Sequence, residues 1–132
     1  MTLAEGGDGP TVAEETEESI DGDVIESLRE LGGSEMLSEL TQLFFEDTRS
    51  SMATLRKALE EGDAQSVERV AHNLKGSCDS MGATRMAAIC AELQDVGTSA
   101  NLSRGPELLE HLKAEFERVR PALETEVARS QD

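Results

Sequence analysis

Apolar side chains along this chain recur at spacings of three and four, the period of an α-helix, and β-branched or aromatic runs of strand type do not occur. Val24, Ile25, Leu28 and Leu31 predict a short helix over 21–31, stopped by Gly32 and Gly33, after which Ser34 is placed to cap a second. Leu37, Leu40, Phe44, Met52, Leu55 and Leu59 trace one long amphipathic helix to Glu60, ended by Gly62. Val67, Ala71, Leu74, Cys78 and Met81 define a helix from Asp63 to about Met81, closed by Gly82. Met86, Ile89, Cys90 and Leu93 define the next, from Ala83 to about Val96, with Gly97, Thr98, Ser99 and Asn101 as a connection. The last begins near Pro106 with Leu108, Leu112, Phe116, Val119 and Leu123 on its apolar face, and Pro121 is expected to kink or end it. Amphipathic helices on short connections hide their stripes by packing against their neighbours in sequence. The expected fold is therefore all-α, an antiparallel up-down four-helix bundle with an additional short N-terminal helix. That architecture alone assigns no function.

Residues 1–19 break the pattern. They contain Glu5, Asp8, Glu14, Glu15, Glu17 and Glu18, no basic side chain, and Gly6, Gly7, Gly9 and Pro10. Such a stretch buries too little apolar surface to offset its ordering entropy, so it reads as a disordered tail or linker before a bundle over 20–128 and a short tail over 129–132. With 132 residues there is space for one compact domain and none for an ATP-binding kinase core beside it. Lys and Arg number 12 against 28 Asp and Glu, a formal charge of −16, which argues against nucleic acid or an anionic membrane as partner. No stretch is apolar for long enough to cross a membrane, and the start lacks the basic flank and apolar core of a signal segment, so a cytoplasmic location is expected. Cys78 and Cys90 fall on apolar faces without metal-ligand spacing and read as buried, inert thiols.

One titratable residue stands off these stripes. At about 100° per residue, His72 lies roughly 140° from the centre of the stripe through Val67, Ala71, Leu74, Cys78 and Met81, and so faces solvent. Its neighbours three and four positions away are Glu68, Arg69, Lys75 and Gly76. An exposed imidazole is usually without a task. Gly76 argues for one: in a helix interior it costs about 0.5–1 kcal/mol relative to alanine, and the helix continues past it to Cys78. A missing side chain one turn from the ring leaves clearance for another macromolecule. An imidazole nitrogen is a competent nucleophile at neutral pH, and Lys75 stands where a phosphoryl group on it would need a cation.

The run His72-Asn73-Leu74-Lys75-Gly76-Ser77, with Gly82-Ala83 and then Met86, Ala87, Cys90 and Leu93, resembles the histidine-containing phosphotransfer (HPt) domain of multistep two-component relays. The likeness is specific over 71–93 and extends in helix pattern over about 20–125; Gln94 departs from it, standing where a glutamate is usual. The resemblance implies a phosphocarrier without autokinase or ATP-binding activity. Its histidine takes a phosphoryl group from the aspartate of one response-regulator receiver domain and passes it to another, with a hybrid sensor histidine kinase upstream. It further implies His72 as the phosphoacceptor, Lys75 as its electrostatic partner, Gly76 as docking clearance and Ser77 as a source of a hydrogen bond. No cofactor or metal is implied on this chain, Mg2+ being expected on the receiver alone.

Docking also needs an apolar anchor. Phe45, Arg49, Met52 and Arg56 form a flank of the long helix that either lies exposed beside His72 and, with Arg69, meets the receiver, or merely widens the core stripe. Basic residues from Arg29 to Arg85 would soften the acidic field there. Without an obvious second apolar face the chain is expected to be monomeric. Two rival readings remain at this stage. One is a non-catalytic interaction bundle; the other, a metal site using His72, His111 and carboxylates, lacks the His-x-x-Glu recurrence of a di-iron bundle.

Overall fold

A computed structural model describes residues 19–130, and all but the last residue of the tail expected over 1–19 lies outside them. Among the described residues four helices carry the fold: α1 (Gly22–Glu61), α2 (Ala64–Ser80), α3 (Thr84–Ser99) and α4 (Gly105–Ser130), with a 3-10 turn (Leu102–Arg104) before α4. α1 packs on α2 and α4, and α3 on the same two helices, which is the square arrangement of an up-down bundle. The expected short N-terminal helix is the first part of α1. Gly33 adopts φ 77 and ψ −171, a break in an otherwise continuous helix. Beyond the break the chain resumes helix at Ser34 and reaches Gly62, whose φ of 71 ends it in a left-handed cap.

The caps show why the connections are short. Asp63 accepts from Ser66 N at 3.1 Å and from Ser66 Oγ at 2.7 Å, which satisfies an orphan donor at the start of α2 and holds the Asp63 carboxyl below its usual range. Gly82, at φ 74, reverses the chain between α2 and α3, and its carbonyl accepts from Asp21 N–H at 2.7 Å. That bond ties the start of α1 to the α2–α3 turn. At the far end of the same segment Arg29 reaches α4, donating to Glu126 and Ser130. Ser19, assigned above to the tail, is wholly buried, because the chain is already seated at this corner before α1 begins.

The core is a single cluster drawn from every helix, with Leu37, Leu55, Leu74, Met86, Leu93, Leu112 and Phe116 among its largest members. Two expectations about helix ends fail. α3 does not stop at Val96 but continues through Gly97 to Ser99, because Gly97 is a packing residue: a Cβ there would lie 2.5 Å from Glu68 N and 2.8 Å from Ala64 O on α2. Nor does Pro121 end or interrupt α4, which runs on to Ser130. Proline removes one backbone donor, but Pro121 is exposed, so the carbonyl one turn back can be hydrated while Ala122 and Leu123 stay packed. The α2–α3 contact is therefore close at its Gly97 end, where two backbones meet without an intervening side chain. Gly97→Ala is expected to destabilise the bundle by about 1–3 kcal/mol through overpacking against backbone atoms that cannot retreat, read as a lower midpoint in thermal or urea unfolding.

Candidate functional site

The rotation of α2 about its axis places the site. Val67, Ala71, Leu74 and Cys78 are all fully buried, so one stripe of α2 is committed to the core and His72, a single residue beyond Ala71, projects outward and is exposed. Turning α2 to bury the imidazole would bring Val67 and Leu74 into water at about 1.5–3 kcal/mol each. His72 faces an open groove between α2 and α3 lined by Gln65, Glu68, Arg69 and Gln94. Exposed Arg69 is thus beside the ring, as expected. Glu68, expected one turn away on the same surface, lines the groove as well, whereas Gln94 was not foreseen as part of the site. Gln94 lies 22 positions from His72 in sequence and reaches it only because α3 folds back on α2; the departure from the family pattern at that position marked it without locating it.

Glu68 is held across the groove. Thr98 Oγ1 lies 3.0 Å from both Glu68 Oε2 and Gln94 O, linking α3 to the wall of the site directly beside the Gly97 crossing. With one carboxylate and one guanidinium, the groove is locally neutral in a chain of net charge −16.

The next turn of α2 carries the other expected residues. Gly76 is exposed, and a Cβ built on it would meet nothing within 4 Å, so no contact inside the fold requires a glycine there. Its carbonyl is engaged by Ser80 Oγ at 3.0 Å. Lys75 donates to Asp79 Oδ2 at 3.2 Å with its side chain 40% exposed. Ser77 directs its hydroxyl at Asp47 Oδ2, 3.3 Å away on α1, with Asn73 O at 3.5 Å, so it is occupied within the bundle and points away from the His72 groove.

The flank expected to dock a partner needs correction. Phe45 is 2% exposed and packs edge-on against Phe116 of α4 at 5.8 Å between ring centroids, with Phe44 at 6.3 Å. Arg49 lies over both Phe45 and Phe116, its guanidinium carbon 5.9 and 5.7 Å from the ring centroids. Met52 is half-buried against the core, and Arg56 pairs with Glu60 at 3.7 Å. Phe45 and Arg49 thus face α4 rather than His72, because the rings of α1 and α4 complete the core on that side. The exposed apolar surface of α1 near the site is its other flank. Leu43 is 61% exposed and, with Leu40, Phe44 and Asp47 of α1, forms a groove against Ser77, Ser80 and Met81 of α2. The basic residues between Arg29 and Arg85 do not form one patch either: Arg29 is tied to α4, and Arg85 faces Glu115. Cys78 and Cys90 are buried free thiols, and the Cys78 thiol is pushed far above its ordinary range by its hydrogen bond with Cys90 and by burial, which leaves it unreactive.

Among the described residues the bundle is all-helical, and it holds His72 outward on a rigid helix with a bare glycine a turn away, which leaves that imidazole open to a visiting macromolecule. The Hpt domain model matches residues 39–122, and the chain belongs to that family. Its structure is similar to that of histidine-containing phosphotransfer protein B from Pseudomonas aeruginosa, with a TM-score of 0.79 at 34% identity over 84% of this chain and 96% of that one. Among curated proteins it is similar to multistep phosphorelay regulator 1 of Schizosaccharomyces pombe, 32% identical over 60% of this chain and 28% of that protein. It also resembles histidine-containing phosphotransfer protein 2 of Arabidopsis thaliana, 26% identical over 76% and 66%. The aligned region thus spans less than two thirds of either curated relative.

Two substitutions separate the faces of α1 and α2. Phe45→Ala is expected to cost about 3–5 kcal/mol of unfolding free energy as a core truncation, whereas a docking residue would cost within about 0.5 kcal/mol. Gly76→Ala should raise stability by about 0.5–1 kcal/mol, since the added methyl relieves backbone entropy and meets open space.

Proposed function

We propose that this chain is a phosphorelay intermediate whose His72 accepts a phosphoryl group from the aspartate of a phosphorylated receiver domain and delivers it to the aspartate of a second. The observation that carries the reading is the outward imidazole on a helix whose opposite stripe is fully buried. In the first transfer an imidazole nitrogen attacks phosphorus, the P–N bond forms as the acyl-phosphate P–O bond breaks, and the aspartate leaves as carboxylate. The reverse exchange on a second receiver regenerates neutral imidazole. Phosphoryl transfer of this kind depends on in-line positioning and charge neutralisation. The receiver supplies the divalent metal and this chain the nucleophile, so His72 needs no cofactor of its own. Autokinase activity and ATP binding are absent from this reading.

Lys75 is held only by an exposed pair with Asp79, worth about 0.2–1 kcal/mol, and can exchange that partner for a phosphoryl group carrying 1.5–2 negative charges. Gln94 and Arg69 border the same groove and offer N–H donors to the phosphoryl oxygens. The receiver's approach uses the clearance at Gly76 and the exposed Leu43 groove between α1 and α2. In this reading the chain works as a monomer in the cytoplasm, with a hybrid sensor histidine kinase and its receivers as partners.

His72→Gln should leave a folded helical protein that takes up no phosphate from a phosphorylated receiver; retained uptake would falsify the assignment. Gly76→Gln should slow transfer while the unfolding midpoint stays within about 0.5 kcal/mol of the parent or above it, and an unchanged rate removes the clearance argument. Lys75→Ala should lower the transfer rate by a factor of about five at most, the range set by an exposed ion pair; a loss of several orders of magnitude would make it part of the essential chemistry. Leu43→Asp should raise the receiver concentration needed for half-maximal transfer, and an unchanged concentration dependence excludes that groove from docking.

A further inference from the structure

Glu68 brings a carboxylate into the groove beside His72. It stands one helical turn before the imidazole on α2, and residues four apart on a helix are surface neighbours, with about 5–6 Å between their Cβ atoms. A glutamate in that position has the reach to lay its charge against whatever the ring carries. On a phosphorylated ring the contact is repulsive, because the phosphoryl group brings about 1.5–2 negative charges of its own.

The fold directs that carboxylate elsewhere. Glu68 Oε2 lies 3.0 Å from Thr98 Oγ1 on α3. The same hydroxyl is 3.0 Å from Gln94 O, but that carbonyl already accepts the helical N–H of Thr98, and an ionised carboxylate is the stronger acceptor, so the single hydroxyl proton goes to Glu68. Backbone brings the two residues together: Gly97, next to Thr98, sits so close to α2 that a Cβ on it would lie 2.5 Å from Glu68 N. Thr98 is thereby fixed relative to the root of the Glu68 side chain, and little ordering is left to oppose the bond. The carboxylate is drawn toward α3, while Arg69 and Lys75, three residues to either side of His72, carry the cations on the α2 surface.

We propose that Thr98 is a positioning residue for phosphate on His72: its hydroxyl holds the Glu68 carboxylate against α3 and so keeps a like charge off the phosphoryl group. The inference rests on the relay reading above and adds to it a residue of α3 that acts only through Glu68. Without the hydroxyl the glutamate is free to return to the surface of α2 beside the ring. At low salt, bringing a unit charge from about 9 to about 5 Å from such a group changes an equilibrium constant by a factor of about two to five, even at the dielectric of water.

The test is a double-mutant cycle of Thr98→Val and Glu68→Gln in the full chain, read as the equilibrium ratio of phosphohistidine to receiver phosphoaspartate after mixing with a phosphorylated receiver domain at low salt. Thr98→Val keeps the shape of an exposed side chain and removes only its hydroxyl, and it should lower the ratio by a factor of about two to five. The same change made on top of Glu68→Gln should have no effect, because the charge it would release is gone. The loss caused by Thr98→Val should also shrink at about 0.5 M NaCl, where the screening length falls to about 4 Å. A general loosening of the α2–α3 contact would lower the ratio whether or not position 68 is charged, so an equal loss in both backgrounds overturns the inference. If the parent takes phosphate on His72 and Thr98→Val matches or exceeds it, the inference alone is struck; if the parent takes none, the relay reading falls and the inference with it.

Discussion

The burial of one stripe on α2 is the constraint from which the rest follows. Val67, Ala71, Leu74 and Cys78 are sealed between α1 and α3, and with them the helix loses its freedom to rotate. A helix pinned on one side aims its opposite side as firmly as its core, and His72 is aimed in this way. The imidazole needs no partner to hold its direction, which suits a group that must change partners. Deep packing and an open imidazole are thus two faces of the same seventeen residues.

A second contact builds the wall opposite. Where Gly97 crosses Glu68, two helix backbones meet without a side chain between them, and this close approach carries Gln94 and Thr98 to the edge of the His72 groove. Glycine thus appears twice near the site for opposite reasons. Gly97 is required by the fold, because a methyl there would strike backbone. Gly76 is required by nothing within the fold, since a methyl there would strike nothing. A helix interior tolerates such a residue at a cost of about 0.5–1 kcal/mol, and in the proposed reading the compensating gain comes from a molecule that docks.

Much of this was legible in the chain. Period-3.6 spacing marked the helices, Gly33 and Gly62 marked their breaks, and the off-stripe position of His72 predicted its exposure. Local pattern could not say which flank of a long helix meets which neighbour. Phe45 lies on the flank that faces Phe116, a partner 71 residues away in sequence, so its burial depends on tertiary pairing that spacing along α1 does not encode. Leu43 was overlooked for the same reason, since an exposed leucine is distinguishable from a core one only once the packing is known. Gly97 and Pro121 misled because both carry local stop signals, overridden here by close helix packing and by an exposed helix face. Glu115 is buried beside Arg85 and Arg118, a placement set by the packing of α3 on α4 and not by spacing along α4.

The account rests on the imidazole at position 72 being the atom group that carries phosphate. The most direct measurement mixes the full chain with a phosphorylated receiver domain, digests it at neutral to mildly basic pH where a phosphoramidate survives, and locates the modification by tandem mass spectrometry. The account predicts a single phosphorylated residue, His72, whose modification is lost on brief exposure to acid. Phosphate found instead on Ser77, Ser80 or His111, or a modification stable to acid, would contradict it.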